Sequence, residues 1–113
     1  MKPVTRIIFV DDNGEKFFGK GPHQLLCAVE REGSLRAAAA SMNMAYTKAL
    51  KILQNAEKAL GFPLTMRTTG GKAGGGSRLT PEGKEWILRY EAYSNACIQA
   101  NSQLYRTFFP DQR

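Results

Sequence analysis

The chain has few of the residues that a metal site or a catalytic set requires. It contains two cysteines, Cys27 and Cys97, far apart and with no CxxC pair, and a single histidine, His23. Structural zinc sites use several such ligands at short spacings, so the sequence predicts no metal site. A buried free thiol in each of two helices is the simpler interpretation. No nucleophile, base and orienting group occur as a set, so we predict no catalytic residue, no cofactor and no enzyme.

Long apolar runs are also absent. No stretch approaches the roughly 20 residues of a transmembrane helix. The apolar patch at residues 4–10 is too short for a signal peptide, and two aspartates follow it at once. The prediction is a cytoplasmic protein without a membrane partner. With 113 residues, 42% of them hydrophobic, residues 1–113 are expected to form a single domain with one core.

Acidic residues are nearly missing from one long segment. Residues 36–78 contain seven basic residues and one acid, Glu57, and therefore carry the whole formal net charge of +6, because nine basic and nine acidic residues balance elsewhere. Positive charge concentrated in this way attracts a polyanion, and DNA is the simplest candidate. A solvated basic face without function is the alternative.

Local signals in the first half of the chain predict a hairpin and three helices. Residues 4–10 and 15–18 should form strands around a turn in which Asn13-Gly14 supplies positive φ angles. A helix from Pro22 should end at Gly33, and Ser34 should cap the next helix. Asn43 suits a left-handed turn position, and a third helix is expected over residues 45–60, before Gly61.

The second half predicts a hairpin and one long helix. Short strands at residues 64–68 and 77–80 flank the glycine-rich loop of residues 69–77. Thr80-Pro81 should open a helix that runs to about Phe108. The apolar stripe on its distal half, from about Ser94, has little of this chain to pack against, so we expect a second subunit to cover it.

This order of elements is that of a winged helix-turn-helix, in a fold that is mainly α with small β. The predicted parts are an N-terminal β-hairpin (1–20), the helix-turn-helix and wing (21–80) and a long C-terminal dimerisation helix (81–108). In such folds the second helix enters the major groove with its N-terminal residues at the base edges. The residues predicted to contact DNA lie at two helix starts and on the wing: Ser34, Arg36, Tyr46, Thr47, Lys48, Lys51, Arg67, Thr69, Lys72 and Arg78.

Each of these features has an alternative interpretation. The two helices could form a hairpin used only for packing, and the glycine-rich loop could be a plain flexible connection. A nucleotide-phosphate loop is disfavoured, because it needs Gly-Lys-Ser/Thr entering a helix. Here Lys72 precedes the second glycine cluster, and Ser77 leads into a strand.

Two stretches of the sequence resemble a known family. GSLRAAAASMNMAYTKALKIL and FPLTMRTTGGKAGGGSRLTPEGKEWILRY are similar to the N-terminal DNA-binding domain of the molybdate-dependent ModE regulators, and distantly to LysR-type winged helices. The resemblance covers about residues 21–93. It implies a homodimer that binds operator DNA through the second helix and the wing, with the last helix and the N-terminal hairpin at the dimer contact.

Three positions depart from the family pattern. Asn43 stands where glycine is common, Ala45 where serine is frequent, and Leu50 replaces a tryptophan, so the resemblance implies the fold and not the operator sequence. Full-length members continue into molybdate-binding domains, for which 113 residues leave no room, so molybdate sensing by that route is not expected. A separate sensor protein, a different signal and constitutive binding stay open. The alternative functions are a protein-interaction module and a regulator that itself binds an oxyanion such as molybdate.

Overall fold

A computed structural model describes residues 1–68 and 76–111, which form two short antiparallel hairpins and four helices. The elements in chain order are β1 (Phe9–Val10), β2 (Lys16–Phe18), α1 (Lys20–Glu32), α2 (Leu35–Ser41), α3 (Tyr46–Leu60), β3 (Thr65–Thr68), β4 (Gly76–Leu79) and α4 (Pro81–Phe108). The predicted class, mainly α with small β, is confirmed. No helix among the described residues is long and apolar enough to cross a bilayer.

The helix boundaries follow the local signals in the sequence. Gly33 and Gly61 end α1 and α3 in the left-handed conformation, with φ of 85° and 82°. Only glycine adopts that conformation without steric cost from a Cβ. Ser34 caps α2, since its Oγ accepts a hydrogen bond from the Ala37 N–H at 3.0 Å. Asn43 has a φ of 53° in the turn before α3. These four predictions are confirmed.

The first predicted strand is much shorter than expected. Only Phe9 and Val10 pair with β2, and residues 1–8 belong to no strand. Those residues lie along α4 instead, where the side chains of Tyr90, Asn101 and Tyr105 form hydrogen bonds to them. The Tyr90 hydroxyl donates to the Ile7 carbonyl at 2.9 Å, and Asn101 Nδ2 donates to Thr5 Oγ1 at 2.6 Å. The N-terminal segment therefore contacts a helix rather than a partner strand. Ile7 is half-buried there, whereas Val4 and Ile8 are 69% and 51% exposed.

The turn of the N-terminal hairpin also differs from the prediction. Gly14 has a φ of 80°, whereas Asn13 does not have a positive φ. The Asp11 carboxylate closes the turn, because its Oδ1 accepts from the N–H groups of Asn13 and Glu15, both at 2.9 Å. An aspartate that bonds its own downstream backbone removes the need for a second left-handed residue.

The core joins the N-terminal hairpin to α1 and α4. Phe18 is fully buried, and its ring packs edge-on against Trp86 at 5.3 Å and Tyr90 at 5.0 Å between centroids. Leu25 and Val29 of α1 are buried in the same cluster. Burial of one such phenylalanine is worth about 1.5–3 kcal/mol, so this cluster fixes the hairpin to the helices.

The distal half of α4 extends beyond this core. The helix has 28 residues, which is about 42 Å at the α-helical rise, and the molecule measures 59 × 29 × 25 Å. Tyr93, Leu104 and Phe108 are 53%, 56% and 72% exposed. The prediction that both thiols are buried is wrong, since Cys27 and Cys97 are only half-buried. Cys97 lies on this sparsely covered half of α4.

Candidate nucleic-acid interface

Small side chains bring α2 and α3 together. Ala38 and Ala39 of α2 and Ala49 of α3 are buried in the common core, and α2 packs against α3. Alanine has no side-chain atom beyond Cβ, so two helices that meet through alanines can approach closely. The turn between them is held by the Met44 N–H, which donates to the Ala39 carbonyl at 2.9 Å.

The start of α3 presents polar and basic groups to solvent. Thr47, Lys48 and Lys51 are exposed in its first two turns, and Tyr46 is half-buried. Ala45 is the N-cap residue and makes no side-chain hydrogen bond to the helix. The first-turn N–H groups of α3 therefore have no side-chain acceptor, and an uncapped helix start of this kind favours an anion such as a phosphate.

Arg36 connects the start of α2 to the start of α3. Its guanidinium carbon lies 4.2 Å from the centroid of the Tyr46 ring, which is within the range of a cation–π contact. The contact orients the arginine at the junction, where its N–H groups can still donate. Residues ten apart across a turn follow no spacing rule, so the sequence did not predict this pair.

The register of the wing separates its two described arginines. In the antiparallel pair β3–β4, Arg67 lies opposite Ser77 and Met66 lies opposite Arg78. Side chains of consecutive strand residues point to opposite faces of a sheet. Arg67 and Arg78 therefore lie on different faces of this hairpin. Thr69 and Lys72 lie outside the described residues.

The wing is attached to the end of α1. The Ser77 N–H donates to the Gly33 carbonyl at 2.8 Å, and the Leu79 N–H donates to Glu30 Oε2 at 3.1 Å. Two N–H groups on the outer edge of β4 thereby find acceptors, and the wing is placed beside the turn that contains Ser34. Nothing in the spacing of these residues indicated the link.

The basic residues of the 36–78 segment have no acidic partners within the described part of the chain. The four ion pairs found there within 4.0 Å involve other residues: His23–Glu91, Arg31–Glu32, Lys84–Glu30 and Arg89–Glu85. Glu57, the single acid of the segment, accepts instead from the Leu64 N–H at 2.8 Å. The positive charge of Arg36, Lys48, Lys51 and Arg67 is therefore uncompensated.

A second group of polar side chains lies between α1 and α4. His23 Nε2 is 2.7 Å from Glu91 Oε2 and 3.7 Å from Cys27 Sγ. Burial first, and then the Glu91 carboxylate, raise the pKa of the Cys27 thiol, although Arg31 acts in the opposite direction. The thiol is therefore neutral at physiological pH. The four-residue spacing of His23 and Cys27 was visible in the sequence, but Glu91 is 68 residues from His23.

Comparison with known proteins gives one family and several related regulators. Residues 23–84 match the family model of the bacterial regulatory helix-turn-helix proteins of the LysR family. The chain is 41% identical to the molybdenum-pterin-binding protein MopB of Rhodobacter capsulatus over 68 residues, which are 60% of this chain and 25% of that protein. It is 36% identical to the molybdenum transport protein ModE of Azotobacter vinelandii over 69 residues, 61% of this chain and 26% of that protein. The chain thus spans about a quarter of the length of these relatives.

A solved structure has the same fold. It is the BenM DNA-binding domain in complex with benA site 1 DNA, which superposes with a TM-score of 0.50 at 21% identity, over 74% of this chain and 92% of that chain. The predictions of a winged helix-turn-helix and of a resemblance to ModE and LysR-type regulators are confirmed. Because the family model matches more than half of its residues, the chain belongs to the LysR family of bacterial regulatory helix-turn-helix proteins.

Proposed function

We propose that the protein is a cytoplasmic transcriptional regulator, not an enzyme, that binds duplex DNA sequence-specifically as a homodimer. The observation that carries the proposal is the uncompensated positive charge at the starts of α2 and α3 and on the wing. Phosphate attraction supplies most of the affinity of such a surface, and contacts to base edges supply its specificity.

The start of α3 is proposed to enter the major groove. Thr47 and Lys48 are exposed in its first turn; lysine donates to the O6 and N7 acceptors of guanine, and threonine donates or accepts. Lys51, one turn further, is in position for a phosphate at the groove edge. Tyr46 is half-buried under Arg36, so we assign it to orienting the arginine and to contact through its hydroxyl.

The remaining predicted residues are proposed to bind the DNA backbone. Ser34 can donate its hydroxyl hydrogen to a phosphate while its oxygen still caps α2. Arg36 adds a charge beside it. On the wing, Arg67 is proposed to follow the backbone together with Thr69 and Lys72, and Arg78 contacts DNA from the other face of the sheet.

The exposed stripe on α4 supports a homodimer. Leu104 and Phe108 are large apolar residues on the half of α4 that extends beyond the core. Tyr93, which is 53% exposed, lies nearer the core, where its ring stacks on Phe9. Apolar side chains at this spacing on one helix face are typical of a helix that pairs with a second copy. A dimer that pairs through α4 about a two-fold axis would present two copies of α3. Two such helices would bind two half-sites, so the preferred DNA site would be pseudo-palindromic.

The experiment is selection of bound sequences from random duplex DNA, combined with affinity measurements at several salt concentrations. The expected result is affinity that falls steeply with salt and an enriched inverted repeat whose half-sites lie about 10 base pairs, or a multiple of that, apart. Weak binding that is insensitive to salt, with no enriched sequence, would contradict the proposal and favour the protein-interaction module.

The names of the two relatives favour one second candidate, a regulator that responds to an oxyanion such as molybdate. This candidate predicts that molybdate raises the unfolding temperature of the chain, because a ligand that binds only the native state stabilises it. Sulfate is the matched control anion. An unchanged unfolding temperature in millimolar molybdate would remove this candidate for residues 1–113.

A further inference from the structure

We propose that His23, Cys27 and Glu91 form a binding site for a zinc-class divalent transition metal that links α1 to α4. The site lies apart from the proposed DNA-binding residues. The possible ligand atoms, one nitrogen, one sulfur and one carboxylate oxygen, all lie within 4.8 Å of one another. The proposal revises the sequence prediction of no metal site, which rested on two cysteines far apart, the absence of a CxxC pair and a single histidine.

Two of the ligands are placed by helical periodicity. His23 and Cys27 are four residues apart in α1, so their side chains lie on the same face, one turn apart. Glu91 lies in α4, and its carboxylate reaches His23 from the helix that faces α1. The three ligands therefore come from two helices, and a bound ion would join them.

The distances are close to those of a tetrahedral site. Zinc–sulfur and zinc–nitrogen bonds of about 2.3 and 2.0–2.1 Å at a tetrahedral angle place the two ligand atoms about 3.5 Å apart. His23 Nε2 and Cys27 Sγ are 3.7 Å apart. His23 Nε2 and Glu91 Oε2 are closer, at 2.7 Å, because they share a hydrogen bond. The Glu91 side chain is 41% exposed, so it is free to rotate outward by the small amount required.

The ligand set selects the type of metal. Calcium and magnesium bind oxygen ligands, whereas a set with imidazole and thiolate suits zinc and its neighbours in the first transition row. On binding, the Cys27 thiol releases its proton to solvent. The ion takes the place of the proton between His23 Nε2 and Glu91 Oε2, so the neutral imidazole binds through Nε2 and carries its one proton on Nδ1. Three protein ligands leave a fourth position for water.

The surroundings of His23 favour a fixed ligand. Its side chain is only 20% exposed, and its ring packs against Tyr90 at 5.3 Å between centroids. Tyr90 is itself held by its hydrogen bond to the Ile7 carbonyl. Packing that restricts the imidazole lowers the entropy lost when the metal binds.

The test is titration of the chelator-treated full chain with cobalt(II), which gives absorption bands that zinc does not. We expect one equivalent per chain, a thiolate-to-cobalt charge-transfer band in the near ultraviolet, and visible bands of tetrahedral intensity that disappear on addition of zinc. Zinc at about one hundred times its dissociation constant should raise the unfolding temperature by about 5 °C or more. Absence of the charge-transfer band, or an unfolding temperature that zinc leaves unchanged, would overturn the proposal.

Three variants assign the ligands. Cys27→Ser should lose the charge-transfer band, and Glu91→Gln should keep the fold while weakening cobalt affinity by at least about tenfold. Cys97→Ser is the matched control, because it removes the other thiol and should bind cobalt as the wild type does. Loss of the band in Cys97→Ser with retention in Cys27→Ser, or full affinity in Glu91→Gln, would contradict the assignment.

Discussion

Replacement of Lys51 by alanine should change DNA binding in a way that Lys58→Ala does not. Both lysines are exposed on α3, so both variants lose one charge from the same helix. Lys51 lies in the second turn, near the proposed DNA surface. Lys58 lies two turns further, where it borders a cavity with the acidic turn residues Asp11 and Asp12, whose charge repels DNA.

The size of the effect follows from counterion release. Each lysine–phosphate contact contributes about 0.9 to the slope of log affinity against log salt concentration. If the contact contributes nothing at 1 M salt, it raises the affinity at 0.15 M salt about fivefold. A homodimer loses two contacts in Lys51→Ala. The slope should fall by about 1.8 and the affinity at 0.15 M by about 30-fold, while Lys58→Ala should change affinity less than about threefold.

The assay is fluorescence anisotropy of a labelled duplex that carries the selected sequence, at salt concentrations from about 0.05 to 0.3 M. Circular dichroism of both variants confirms that the helices are retained. The reasoning is refuted if Lys51→Ala keeps the wild-type salt slope, or if Lys58→Ala loses as much affinity as Lys51→Ala.

Three further predictions concern stability and assembly. Ser34→Ala removes the cap of α2 and should cost about 1 kcal/mol in chemical denaturation. Ser41→Ala loses only a partly buried bond to the Ala38 carbonyl within the same helix and should change stability by less than about 0.5 kcal/mol. Equal losses would contradict the cap. Gly83→Ala should lower the free energy of unfolding by about 1–3 kcal/mol, because a Cβ there would collide with the Leu64 carbonyl oxygen. The same change at Gly21, where a Cβ would meet nothing within 4 Å, should be harmless. A Gly83→Ala variant as stable as the wild type would show that α4 does not approach Leu64 so closely. Leu104→Lys changes the exposed stripe of α4 and should shift sedimentation toward the monomer. Gln99→Lys, on the opposite face of the helix, should leave the dimer intact. An unchanged dimer in Leu104→Lys would rule out this stripe as the contact.

The sequence predicted features that depend on neighbouring residues. Gly33, Asn43 and Gly61 adopt the left-handed backbone that their side chains permit, and Ser34 caps the helix that it precedes. The helix-turn-helix order followed from these local signals. The surplus of positive charge over residues 36–78 also needed no structure, because charge counts are independent of the fold.

Features that depend on distant contacts could not be predicted. Residues 4–8 have strand-like composition, yet Tyr90 and Asn101 of α4 hold the N-terminal segment against a helix. Local propensity does not show which surface a segment meets. The same limit applies to the stacking of Arg36 on Tyr46 and to the meeting of His23 with Glu91, since no spacing rule relates those residues.

The most direct test of the account is the affinity of the double variant Lys48→Ala/Arg67→Ala for the selected duplex, measured beside the wild type at 0.15 M salt. The two changes remove one proposed contact in the groove and one on the wing, and both side chains are exposed, so the fold should persist. The account predicts a loss of at least about 600-fold, because the dimer loses two backbone contacts at about fivefold each and two base contacts worth at least about 1 kcal/mol, or about fivefold, each. Affinity equal to that of the wild type would contradict the claim that this surface binds DNA.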